Sequence, residues 1–100
     1  MNSKIKTDSV EALFDAVLTL KTKEDCYKFF EDVCTIKELL AMAQRYEVAK
    51  LLTKKMTYLD IAEKTGASTA TISRVNRSLE YGADGYRMVF DRMEKQKKDQ

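Results

Sequence analysis

The chain predicts an all-α protein, and three observations carry that prediction. Its 100 residues include no Pro and only three Gly, so almost nothing interrupts a helix. Apolar residues recur at three- and four-residue intervals, the repeat of a helix face. At Asp8/Glu11, Thr22/Asp25, Thr35/Glu38 and Thr57/Asp60, a capping side chain stands three residues before an acid. In that pairing the first side chain accepts an orphan backbone N–H of a starting helix, and the carboxylate reaches back to the cap's own N–H.

The elements follow in order. A first helix opens at Asp8 and stops near Leu20, with Val10, Leu13, Phe14, Val17 and Leu18 as one apolar stripe. Thr22 opens a second, whose inner face is Cys26, Phe29, Phe30 and Val33. Thr35 opens a third, in which Ile36, Leu39, Leu40, Ala43, Val48, Leu51 and Leu52 keep one face apolar as far as Lys54 and Lys55. That basic pair suits the negative end of a helix dipole. Thr57 starts a fourth helix at Tyr58, and Ser68 caps a fifth that runs from Thr69 to about Leu79. The stretch Tyr81-Gly82-Ala83-Asp84-Gly85 reads as a turn. A last helix carries Tyr86, Val89, Phe90 and Met93, and the polar tail EKQKKDQ is expected to fray.

Size and composition bound the rest. So short a chain reads as one domain, residues 1–100, and buries only a modest share of its surface alone. Phe14, the pair Phe29 and Phe30, and Phe90 sit on three separate amphipathic helices, so a helical dimer that buries them between subunits is expected. The dimerisation helices then lie at about 9–54 and 86–95. No His is present, which removes the usual general base, and the carboxylates are scattered at the spacing of a solvated face. An enzyme is therefore not expected, and neither a metal nor a cofactor. Cys26 and Cys34 lack the further ligands of a zinc site and read as small buried hydrophobes in a reducing compartment. Neither a signal peptide nor a membrane span is visible, which points to the cytoplasm.

The most informative segment is YLDIAEKTGASTATISRVNR, from Tyr58 to Arg77, which fits a helix-turn-helix of about 58–79. With Tyr58 as the first position, Ala62 is fifth, where two helices approach closely. Gly66 is ninth, where the chain leaves the first helix in a left-handed conformation. Ile61, Thr65, Ala67, Ile72 and Val75 fill the inner face. The outer face of the second helix carries Thr69, Ala70, Thr71, Ser73, Arg74 and Arg77, with no acid between Ser68 and Leu79. A merely solvated helix would more often pair Glu with Lys. The net charge of +2 says little alone, but between Lys54 and Leu79 five basic side chains oppose only Asp60 and Glu63.

Beyond these features, TGASTATISRVNRSL resembles the DNA-reading half of the bacterial tryptophan repressor and, more closely, its YerC/YecD-type relatives. FFEDVCTIKELLAMAQRYEVAKLL, MTYLDIAEKTGASTATISRVNRSL and YGADGY extend the likeness from Phe29 to Tyr86. The resemblance implies a Trp-repressor-like helical bundle, intertwined as a homodimer, that regulates transcription at a palindromic operator in double-stranded DNA. Thr69, Ala70 and Ser73 match positions that approach base edges in tryptophan repressors, with Thr71 and Arg74 in the same run. One departure matters: where the family has a glycine against the corepressor's indole, this chain has Val75. Tryptophan is therefore not expected as effector. The second arginine of that pocket has Gln44 or Arg45 as its counterpart.

The DNA-binding residues expected are thus Ser68, Thr69, Ala70, Thr71, Ser73, Arg74, Arg77 and Lys64. Short side chains let the helix sit close to base edges, Arg77 and Lys64 meet phosphate, and Arg74 either contacts guanine or points sideways. Repression is the expected direction of control. The alternative is a helical, dimeric protein–protein interaction module without DNA binding.

Overall fold

The structure, a computed structural model, describes residues 2–99. A short 3₁₀ turn at Ser3–Ile5 precedes six helices: α1 (Asp8–Val17), α2 (Lys23–Val33), α3 (Ile36–Thr53), α4 (Tyr58–Thr65), α5 (Thr69–Tyr81) and α6 (Gly85–Lys98). No strand occurs among the described residues. The chain forms two compact units, one up to Leu39 and one from Leu40 onward, with α3 running through the boundary.

In the first unit the ends of the helices are well satisfied. The cap of α1 is Thr7 rather than Asp8: its Oγ1 accepts from the Val10 N–H at 3.2 Å, and Asp8 becomes the first helical residue. There its charge still favours the positive end of the dipole. The helix stops at Val17, short of Leu20, and Thr19 Oγ1 donates to the freed Ala16 carbonyl at 2.7 Å. Thr22 accepts from the Asp25 N–H at 3.1 Å, while the Asp25 carboxylate accepts from the Lys21 N–H at 3.0 Å. Thr35 and Glu38 form the reciprocal pair in full, at 2.9 and 3.1 Å. The Lys21 N–H holds the Asp25 carboxyl below its ordinary range, and the Thr35 N–H does the same for Glu38.

Packing in this unit is another matter, because neither α1 nor α2 buries a single residue. Leu18 is 82% exposed and Tyr27 70%. Phe29 and Phe30 meet edge to face at 5.6 Å, beside an open apolar groove lined by Cys26, Tyr27, Phe30 and Leu39. The cysteines are accordingly not buried: Cys26 is exposed and Cys34 half-buried, both as free thiols. Cys26 lies on α2 and Cys34 caps its end.

The second unit holds the core. Val48, Ala49 and Leu51 of α3 pack with Ile61 of α4, Ala67, and Ile72, Val75 and Leu79 of α5. Leu52, Met56, Ala62, Tyr86 and Phe90 close around them. The apolar residues of α3 do not form the single stripe expected: Val48, Ala49 and Leu51 are buried, whereas Ile36 is 79% exposed and Leu40 63%. A helix apolar on several sides has more surface to bury than one core can use. Lys55 ends α3 in a left-handed turn with φ 62°, and the chain reverses into the Thr57 cap of α4.

At the far end of α5, the Gly82 N–H donates to the Ser78 carbonyl at 2.9 Å, and a Cβ on Gly82 would run into that same oxygen. Asp84, at φ 64°, leads into α6. This helix begins at Gly85 and continues to Lys98, so most of the basic tail is helical instead of frayed. Lys95 pairs with Asp91 at 3.3 Å, and Lys95, Lys97 and Lys98 complement the C-terminal dipole. Phe90 anchors α6, 5.4 Å from the Tyr46 ring and 6.2 Å from that of Tyr86.

Candidate nucleic-acid interface

The exposed face of α5 is positioned by the turn that joins it to α4. Gly66 ends α4 with φ 75°, a conformation that costs a side-chain-bearing residue strain, and its N–H donates to the Ala62 carbonyl at 2.9 Å. Thr65 Oγ1 donates to the Ile61 carbonyl at 2.7 Å and accepts from the Ala67 N–H at 3.1 Å. From α3, Gln44 Nε2 donates to the Thr65 carbonyl at 3.2 Å. Ser68 then caps α5, accepting from the Thr71 N–H at 3.1 Å and donating to Thr71 Oγ1 at 3.0 Å.

Beneath this scaffold Ile61, Ala67, Ile72 and Val75 are buried, and Thr65 and Ala62 are half-buried. On the outside, Ser68, Thr69, Ala70, Ser73, Arg74 and Arg77 are all exposed, with Thr71 half-buried and its hydroxyl shared with the cap. Lys64 is exposed on α4. Among the described residues, the ion pairs are Lys28–Glu24, Arg87–Glu80 and Lys95–Asp91, and none involves Lys64, Arg74 or Arg77. The first turn of α5 carries no acid, so its dipole is uncompensated and favours an anion.

Sequence reasoning singled out neither Lys50 nor Leu59. Lys50 lines one cleft with Lys54, Lys64 and Tyr46, beside Glu47. Its i, i+4 spacing to Lys54 was the available signal. Leu59, on α4, is 77% exposed although the helix is otherwise amphipathic in the ordinary sense. Chemically, the face offers hydroxyls, a methyl group and two guanidiniums on a helix with no bulky side chain near its N-terminus. Such a helix can approach base edges closely in the roughly 12 Å major groove.

The profile of the Trp repressor protein family matches residues 8–94. The uncharacterized protein YerC of Bacillus subtilis (strain 168) is 51% identical over 90 residues, 90% of this chain and 86% of that protein. Two solved structures superpose closely. A TrpR-like protein from Eubacterium eligens is 66% identical with a TM-score of 0.90, covering 92% of this chain and 95% of its own. A candidate Trp repressor from Staphylococcus aureus is 49% identical with a TM-score of 0.89, covering 92% of each chain.

Proposed function

The chain belongs to the Trp repressor protein family, an all-α family of DNA-binding regulators rather than enzymes, and from that premise we propose that it is a sequence-specific transcriptional repressor acting as a homodimer. The observation that carries this reading is the two-sided character of α5: a fully packed underside and an exposed face of Thr69, Ala70, Ser73, Arg74 and Arg77 free of acids. Arg77 and Lys64, with Lys54 and Lys55, supply salt-sensitive phosphate contacts, and the short side chains read base edges directly or through water. Thr71 serves both ends, as cap partner and as part of the reading face.

The dimer is supported by the uncovered apolar faces of α1, α2 and the first half of α3. In this reading two copies of the chain set two helix-turn-helix heads on a palindromic operator. No helix among the described residues is long and apolar enough to cross a membrane, in keeping with work on cytoplasmic DNA. Val75, 2% exposed, fills the place beneath the reading helix, so operator binding needs no tryptophan.

Sequencing the genomic fragments retained by the pure protein tests the proposal. The expected result is a palindrome with half-sites about one helical turn apart. Thr69→Lys or Ala70→Asp then abolishes the preference, whereas Arg77→Ala weakens all DNA alike and lowers the salt slope by about one unit. The exposed Leu59 favours a second reading, docking of a protein on this corner. Binding that is indifferent to salt and lost on Leu59→Ser would establish it.

A further inference from the structure

We infer that Gln44 is a positioning residue for the reading helix: its amide, donated to the Thr65 carbonyl, holds the turn from which α5 is presented to DNA. The inference deepens the DNA-binding reading and rests on it. Among the described residues, Gln44–Thr65 spans 21 positions in sequence, while every other side-chain hydrogen bond joins residues no more than eight apart. Those local bonds finish helix ends. This one ties α3, which carries the core residues Val48 and Ala49, to the last residue of α4.

Thr65 is the right place to hold. Its carbonyl lies in the final turn of α4, where no intrahelical donor is available. Its hydroxyl is engaged on both sides, toward Ile61 and Ala67. With Gln44 on the carbonyl, every polar group of this residue's side chain and C=O is committed, and the next residue is the left-handed Gly66. Glycine is where the backbone is freest to swing, so the bond restrains the chain immediately before the hinge. Two residues beyond Gly66 stands Ser68, the cap of α5. A swing at Gly66 would therefore displace Thr69, Ala70 and Ser73 together, since all three ride on α5. Gln44 is half-buried, which shields the bond from competing water.

The test replaces Gln44 by Met, which keeps the length and loses the donor, and by Arg, which keeps a donor. Two quantities are read: amide hydrogen exchange at Gly66 and Ala67 in the free protein, and the ratio of operator affinity to affinity for unrelated DNA. For Gln44→Met, exchange quickens and the ratio falls, each by roughly three- to tenfold, as the loss of one neutral hydrogen bond implies. The thermal midpoint of Gln44→Met falls by a few degrees, and Gln44→Arg stays near the parent in both readings. Using a ratio cancels the general affinity that the added charge of Arg brings. Met and parent alike in exchange or in ratio would overturn the inference, as would Arg failing as badly as Met, since packing would then be the cause. If the parent itself shows no sequence preference, the DNA-binding reading fails, and the exchange measurement still decides whether Gln44 holds the turn.

Discussion

The helices up to Leu39 and the corner built by α4 and α5 begin with the same local rules and finish differently. Thr7, Thr22 and Thr35 in the one region, and Thr57 and Ser68 in the other, each accept a backbone N–H three residues on. Yet α4 and α5 bury Ile61, Ile72, Val75 and Leu79, while α1 and α2 bury nothing. Capping is decided within one turn of chain and needs no partner, whereas burial needs enough apolar surface facing it. The corner draws its partners from α3 and α6 of its own chain. The earlier helices carry apolar faces too, and none of their residues is buried. Order at helix ends is thus a poor guide to which elements can stand alone.

The sharpest way to break that comparison is to charge the uncovered face. Phe30→Asp is expected to abolish folding, because the proposed dimer buries the ring between subunits and an unpaired charge there is costly. Sedimentation of the parent should give twice the 11.5 kDa chain mass. A Phe30→Asp protein that keeps its helical circular dichroism and stability would show the face to be open to water. Next in size, Ile72→Ala in the closed core should cost about 3 kcal/mol in urea unfolding, through lost burial and the cavity left behind. The caps sharpen the comparison from the other side. Thr22→Ala and Ser68→Ala should each cost about 1 kcal/mol, and a large disparity between them would mean that capping depends on packing after all.

The smallest expected effect is one of pH. Asp25 and Glu38 are both held below the ordinary carboxylate range by backbone N–H donors. A carboxyl depressed in the folded state adds stability above its unfolded pKa, and that contribution is lost as pH falls through the folded value. Melting midpoints recorded on the acid side of the ordinary range should drop, and Asp25→Asn with Glu38→Gln should flatten the slope. Glu38 is exposed and Asp25 no more than half-buried, so the change is a minor one.

How much of this was legible in the sequence follows from the same division. The Thr57 cap, the start of α4 at Tyr58, the left-handed Gly66 and the Ser68 cap all stand where local spacing placed them, because each is settled by a few neighbouring residues. The inner residues Ile61, Ala67, Ile72 and Val75 are buried as expected, for a 3.6-residue repeat fixes one side of a helix. The cap of α1 was misplaced by one residue, since Thr and Asp side chains are both capable of capping and only backbone geometry chooses between them. Cys26 and the several faces of α3 escaped for another reason: a repeat shows which side is apolar and says nothing of whether a partner lies in the same chain. The bond from Gln44 to Thr65 was out of reach, since no local spacing announces a contact across 21 residues.

Gly82 sets the length of α5 by what it lacks. A methyl group at that one position would collide with the carbonyl of Ser78, so the last turn could close only by unwinding, and α6 would start from a different place. The recognition element is therefore a rod of fixed measure, with Ser68 as one stop and Gly82 as the other. Its outward letters can be rewritten without altering its span. For anyone grafting a new binding preference onto this scaffold, residues 69–77 are open to exchange, and the glycine that punctuates them is not.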